Sequence, residues 1–436
     1  MNTVLVSVPS RGRPGGRRLV LASCFALGSL FCPPVPAAAG AVAAPAPPPA
    51  PPAVEPRFLI ETISIAGVQR QATRAIIVSQ SYLKTGQSYT ERELQEAVYR
   101  IKRLPFVVDA ELALRKGSER GRYELVVTVE ETRPLFLDYG LSGFYQARTP
   151  GLGFPTGRNR LQWENGGTLA VREFVGASGF AFVSVSGGNG PSRTLQLGYT
   201  QYGLFGGNSY ASLLALTELR SHLGRDLLLE GSAGIPLSSN VMLIASPGWA
   251  ADDGPGPNQS RDWSGNLSLV YRTTDDPIIP TSGADVELGA FGEWSQGSSE
   301  FGGITYRSHA TDLSLSILAT DYRPITRRQS VGLSLDVAAG RDTETQSAGA
   351  FPRLQSTGEQ ASLALLYTAS LWSGAATRRF GDLRLEGSGG YTVAHTSSAF
   401  ALYSTAGQLN LGAGLVFRNP WGILRFNLTY LGRVDR

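Results

Sequence analysis

The chain has 436 residues, of which 17% are charged, with 39 lysines and arginines against 35 acidic residues. A balance of +4 spread this thinly gives no electrostatic basis for a nucleic-acid partner. With 42% hydrophobic residues and a mean hydropathy near zero, the composition excludes a bundle of membrane helices. It leaves a β-barrel open, because lipid-facing and lumen-facing residues cancel in any average. Lysine occurs only at Lys84, Lys102 and Lys116, so the positive charge is almost entirely arginine.

Residues 1–40 read as a secretory signal. Arg11, Arg13, Arg17 and Arg18 precede Leu19–Phe31, a 13-residue apolar segment too short to span a bilayer, and Ala37-Ala38-Ala39 offers a cleavage site. Cys24 and Cys32 both fall in this segment. The exported chain is therefore expected to carry no disulfide. Residues 41–56 are almost pure alanine and proline, a semi-rigid spacer in extended geometry.

Residues 57–134 predict a small α+β unit in the order β-α-α-β-β. Phe58–Ile65 reads as a strand ending at Gly67, and a short helix follows over Gln71–Leu83. Thr90 and Glu93 form a capping box before a helix with Leu94, Ala97, Val98, Ile101 and Leu104 on one face. Phe106, Val108, Ala110, Leu112 and Leu114 then alternate along a second strand, and Tyr123, Leu125, Val127 and Val129 along a third.

From Leu135 to Arg436 the rhythm changes to a sustained period of two. In Ser264–Arg272, Leu267, Leu269 and Tyr271 point one way while Asn266, Ser268 and Arg272 point the other. The same alternation returns in Thr194–Gln201, Asp312–Ile317, Ser330–Val337, Gln408–Phe417 and Leu424–Leu431. This predicts a mainly β chain, a transmembrane antiparallel β-barrel over 135–436. At roughly 18 residues per strand and connection, about sixteen strands fit, and 12–14 also fit; both chain ends of the barrel facing one compartment would make the number even.

The 57–134 unit, with its Gly67 turn, its Leu104-Pro105-Phe106 break and its closing Val127–Glu131 strand, resembles a POTRA domain. Thr274-Asp275-Asp276-Pro277-Ile278-Ile279-Pro280-Thr281-Ser282-Gly283 resembles a barrel hairpin motif of the BamA/TamA outer-membrane assembly-factor superfamily. In that turn Pro280 presets φ, Gly283 permits positive φ, and Asp275 or Asp276 can accept backbone N–H bonds. Gly422–Tyr430 is similar to that superfamily's closing strand, with Leu424, Phe426, Leu428 and Tyr430 outward. Gly151–Phe154 and Trp163-Glu164-Asn165 look like the TamA branch. The superfamily's Val-Arg-Gly-Phe/Tyr loop motif is absent. Its equivalent place is Gly340–Gln360, where Arg353 is the candidate lumen-loop arginine, with Asp285, Glu287, Asp312, Asp336 and Glu386 as possible partners by parity.

The resemblance implies a protein of the Gram-negative outer membrane with its POTRA domain in the periplasm. It would insert or translocate unfolded outer-membrane or secreted polypeptides. The POTRA edge strand (Phe106, Val107, Val108, Asp109, Ala110, Leu112) would capture clients by β-augmentation. The seam between the first strand, near Phe136–Tyr145, and the last would insert them. A passive channel or structural barrel is the alternative, and a scaffold docking a periplasmic partner is a third reading. No catalytic group, cofactor or metal is expected. His222, His309 and His395 lack ligand spacing, the chain has no Gly-x-Ser-x-Gly elbow, and Gly187–Gly190 reads as a hairpin turn.

Overall fold

The computed structural model describes residues 55–436 except Gln69, 148–159, Ala177, 189–191, 205–207, 221–223, 254–258, Ile279, 302–303, Arg327, 347–353, 373–381, 399–403 and 435–436. The expected signal segment, most of the Ala/Pro spacer, Gly151–Phe154, His222 and Arg353 lie outside the described residues.

The N-terminal unit contains β1 (Arg57–Ala66), α1 (Gln71–Ser81), β2 (Ser88–Thr90), α2 (Glu91–Lys102), β3 (Val107–Lys116) and β4 (Arg122–Glu131). Its four-stranded sheet has the order β2-β1-β4-β3. The three-residue β2, pairing with the start of β1, is an addition to the expected β-α-α-β-β order. It is too short to show a period. The capping box forms: Glu93 N–H donates to Thr90 Oγ1 at 3.2 Å, and Thr90 N–H to Glu93 Oε2 at 2.7 Å. Leu94, Ala97, Val98 and Ile101 are buried on one face of α2, against Ile60, Leu125 and Val127 of the sheet. Gly67 has φ +82°, and a Cβ there would overlap the Val129 carbonyl.

The second body is a closed barrel of fifteen strands among the described residues. They are β5 (Leu135–Ala147), β6 (Arg160–Val175), β7 (Gly179–Gly188), β8 (Ser192–Tyr202), β9 (Tyr210–Arg220), β10 (Gly224–Pro236), β11 (Val241–Asp253) and β12 (Gln259–Arg272). There follow β13 (Gly283–Phe301), β14 (Ile304–Thr326), β15 (Gln329–Gln346), β16 (Leu354–Trp372), β17 (Asp382–Ser398), β18 (Ser404–Asn419) and β19 (Gly422–Val434). Neighbours pair antiparallel around the ring except at its closure, where β19 lies parallel to β5. The expectation of an even count, sixteen by strand length, is therefore corrected to fifteen. β13–β16 run for 18 to 23 residues each, so fewer strands use the same chain. With an odd number, the first and last strands run the same way.

The unequal strands make one wall tall. β7, β8 and β9 have 10 or 11 residues, close to the nine to eleven or so that a tilted strand needs to cross a bilayer, whereas β14 has 23. The predicted loop over Gly340–Gln360 is correspondingly corrected. Residues 340–346 continue β15 and 354–360 continue β16, paired as far as Glu344 opposite Leu354. Strand pairing persists there after the apolar face has ended.

Alternation places the apolar side chains outside. Leu267, Leu269 and Tyr271 are 51%, 37% and 40% exposed, while Asn266, Ser268 and Arg272 line the lumen. Outside, Trp249, Trp263 and Trp294 stand directly opposite one another across β11, β12 and β13, and His309 stacks on Trp294 at 6.5 Å. Along β12 the outward face runs from Trp263 at this row to Tyr271 near the other end. That is the height of one bilayer crossing, with amphipathic aromatics at both margins. The row should mark the lipid–water boundary. In vesicles, a variant keeping Trp263 as its single tryptophan is expected to be quenched more strongly by lipids brominated near the headgroup than by lipids brominated at the chain end. Stronger quenching from the chain end would place the row mid-membrane instead.

Candidate functional site at the capped mouth and the seam

The N-terminal domain packs over one mouth of the barrel, the end at which β5 begins. Phe106 is 2% exposed and meets Phe174, Phe180 and Tyr202 of the barrel, with ring centroids 4.8, 5.8 and 6.5 Å away. Phe180 thereby belongs to the same buried cluster as Ile60, Leu94 and Ile101 of the domain. Polar contacts surround this wedge. Ser79 Oγ donates to Asn208 Oδ1 at 2.8 Å, and Gln80 Nε2 to the Asn208 carbonyl at 3.2 Å. Arg100 donates to Asn240 Oδ1, which in turn donates through Nδ2 to Glu96. Arg103 Nη2 donates to the Thr274 carbonyl at 3.0 Å. Arg70 pairs with Glu173 at the rim. Burial, with Arg272 nearby, pulls the Arg103 guanidinium down to about 10, so it stays charged at neutral pH.

β3 is an outer strand of the domain sheet, and its far edge has no strand partner among the described residues. Of the residues expected to form that edge, Val107, Val108, Asp109, Ala110 and Leu112 lie on β3. Phe106 precedes it and is committed to the barrel contact. The expected alternation from Phe106 breaks because the β3–β4 register shifts between Val107 and Asp109, leaving Val107 and Ala110 both buried. What this edge offers is backbone. Val107 and Val108 also line the lumen floor, and Asp109 pairs with Lys102 Nζ at 2.7 Å.

The β12–β13 hairpin opens onto the same mouth. Asp275 Oδ1 accepts from the backbone of Thr281 at 2.7 Å and Ser282 at 3.0 Å, and its other oxygen takes the Thr281 hydroxyl. Asp276 instead accepts from Ile278 N–H at 2.8 Å and faces Arg418 of β18. Arg418 donates Nη1 to Oδ1 at 3.1 Å and Nη2 to Oδ2 at 2.7 Å. The two side chains are 7% and 11% exposed, so the fork is bidentate and largely dry. Pro277 and Pro280 border the lumen. Gly283 has φ +93°, and a Cβ there would overlap the Thr273 carbonyl. The turn is broader than a tight hairpin, with its last ladder bond from Asp275 N–H to the Ser282 carbonyl.

Arg418 was not among the expected site residues. Its signal lay in the alternation: Leu409, Leu411 and Leu415 face out, which puts Arg418 on lumen parity just before a turn. Of the five proposed partners of Arg353, three have charged neighbours in contact or direct register among the described residues. Arg272 Nε lies 3.1 Å from Asp285, and Arg272 Nη2 lies 3.9 Å from Glu287; Asp312 stands opposite Glu293 and Asp342.

The lumen encloses about 3030 Å3, with basic and acidic side chains mixed at its capped end and acidic ones towards the other mouth. Arg103, Arg272 and Arg418 line the capped end together with Asp138, Asp276 and Asp285. Towards the other mouth, Glu218, Asp226 and Asp252 stand in direct register across β9, β10 and β11, and Glu293, Asp312 and Asp342 across β13, β14 and β15. No group of three His, Cys, Asp or Glu among the described residues is placed to hold a metal ion.

The seam joins β19 to β5 from Gly422 opposite Leu137 to Gly432 opposite Ala147. Phe426 and Leu428 are 45% and 51% exposed on the outside, while Leu424 and Tyr430 share that parity and are half-buried. Gly422 fits its place because a Cβ would overlap the Leu137 carbonyl. Phe136, Ala170, Val416 and Ile423 form a buried cluster at this end. Arg133 N–H donates to the Pro420 carbonyl, and Arg133 lies over the Trp421 ring at 5.4 Å.

These features define a transmembrane-type β-barrel with a small α+β domain seated on one mouth. No family model matches the chain, and no curated protein matches it. Among solved structures, BamA from Haemophilus ducreyi lacking POTRA domains 1–3 aligns with 87% of this chain and 81% of its own, at 13% identity and a TM-score of 0.40. The siderophore receptor PiuA from Acinetobacter baumannii aligns with 82% of this chain and 69% of its own, at 10% identity and a TM-score of 0.28. Likenesses this loose assign neither a family nor an activity.

The buried fork makes a specific demand on stability. Arg418→Ala strands the Asp276 carboxylate and should cost about 3–5 kcal/mol, read as a lowered urea midpoint in detergent. Removing both partners should cost clearly less than the two single changes added together. A loss below about 0.5 kcal/mol for Arg418→Ala would mean that the pair is solvated.

Proposed function

We propose that this protein is an outer-membrane barrel that assists the insertion or translocation of other polypeptides. In this reading the N-terminal domain is a POTRA module in the periplasm. The observation that carries it is the coincidence, at one barrel end, of a free strand edge on the domain and the base of a parallel seam in the wall. An extended client could add to β3 through main-chain bonds, which demand little of its sequence. The seam is the barrel's parallel pair, whose slanted hydrogen bonds are slightly weaker per residue than antiparallel ones. Lipid penalises unpaired backbone, so a strand passing into the wall must exchange its bonds there rather than lose them.

The reading is tested with purified protein in liposomes and a urea-unfolded small outer-membrane barrel, whose folding is followed by gel mobility. Several-fold acceleration is expected. Alternate N–H groups of β3 point away from β4, so of Leu112→Pro and Ala113→Pro the one that removes an outward donor should reduce the acceleration. Folding at the rate of empty vesicles would sink the proposal.

The lumen charge favours one other reading, a cation-preferring channel, although the domain covers one mouth. Under a salt gradient such a channel would shift its reversal potential towards that of the cation. Asp226→Asn with Asp342→Asn should weaken that preference. Sealed vesicles, with no conductance above background, would rule this reading out.

A further inference from the structure

We infer that the outer face of β12–β14, at the open-mouth margin of the lipid belt, holds the headgroup of a phosphorylated glycolipid. The inference stands apart from the assembly reading and needs only that the barrel spans a bilayer. It starts from the aromatic row. Trp263 and Trp294 stand opposite each other on the outside, at the level where a barrel's aromatic belt meets polar headgroups. At the next outward position towards the open mouth, Arg261, Gln296 and His309 stand in direct register across β12, β13 and β14. All three are exposed. One outward position further, Gln259, Ser298 and Arg307 repeat the arrangement, and Gln259 and Arg307 are exposed as well.

These six side chains supply hydrogen-bond donors and two guanidinium groups, and no carboxylate stands among them. The acidic neighbours Asp262 and Glu293 have the opposite parity and line the lumen, so the wall separates an acidic inside from a basic outside. His309 is held by its stack on Trp294. Directly opposite side chains lie about 5 Å apart and successive rows about 7 Å apart. The patch is therefore wider than one phosphate needs. Arginine forks suit the phosphate oxygens, while Gln259, Gln296 and Ser298 suit the hydroxyl and amide groups of a sugar. The tryptophans just below suit the boundary with the acyl chains. A soluble phosphorylated partner would make no use of that boundary, so the occupant is a lipid of the surrounding leaflet.

The test uses the full chain folded in detergent micelles, with bound lipid counted by native mass spectrometry. The probes are lipid A, which carries its phosphates on two glucosamines, the same lipid dephosphorylated, and phosphatidylglycerol. Lipid A is expected to be retained in preference to the other two. Arg261→Gln with Arg307→Gln should lower its retention about tenfold, and Arg261→Lys with Arg307→Lys should restore part of it. Arg193→Gln, which removes an exposed arginine from the distant β8, should leave retention unchanged. Heat-modifiable gel mobility checks that each variant is folded. Unchanged retention in the double glutamine variant, an equal loss in the Arg193 variant, or equal retention of dephosphorylated lipid A would overturn the inference. Phosphatidylglycerol held as strongly as lipid A would also overturn it, because the patch would then recognise a phosphate without its sugar. None of these readouts measures client folding, so each outcome leaves the assembly reading to its own test.

Discussion

The constraint on which the rest of the structure depends is that backbone N–H and C=O groups have no water to turn to inside lipid. A sheet can satisfy them there only by closing on itself, and this chain closes by bringing β19 beside β5. Closure with fifteen strands makes that last pairing parallel. The same requirement explains why the tall wall of β13–β16 stays paired beyond the aromatic row. Once the ladders are in register, continuing them above the bilayer satisfies more backbone groups and needs no apolar face.

Closing the ring leaves two mouths, and the domain settles the character of one. Phe106 inserts among Phe174, Phe180 and Tyr202, which joins the domain core to the barrel wall in one buried cluster. Aromatic contacts of this kind bury much area at low conformational cost. The polar contacts from Asn208, Asn240 and Thr274 then fix the orientation of the domain without needing to supply much energy. Beneath it the Asp276–Arg418 fork ties the β12–β13 hairpin to β18 across the lumen floor. A buried pair like this contributes little net stability against an apolar replacement, yet its loss on one side is costly. Its structural effect is to hold two distant wall segments at one spacing next to the seam.

The sequence carried the repeating parts well. Leu267, Leu269 and Tyr271 fall outside and Asn266 and Ser268 inside as the period of two requires. The capping box at Thr90 and Glu93 and the positive φ of Gly67 and Gly283 were likewise legible, because each rests on neighbours within a few residues. Phe106 was misread as strand edge because a β-bulge is invisible to alternation counting. Arg418 was passed over because its partner lies 142 residues away. The polar run after Gly340 looked like a loop because polarity alone does not distinguish a loop from a strand standing above the membrane.

By itself, then, the sequence determined which residues face lipid, which face the lumen, and that a small α+β unit precedes the strands. These are local properties, written in periodicity and in turn chemistry. Only the tertiary structure decided the strand number, the parallel closure, the seating of the domain on one mouth and the gathering of acidic residues towards the other. Each of those depends on how ladders of unequal length add up around a ring. No window of sequence contains that sum.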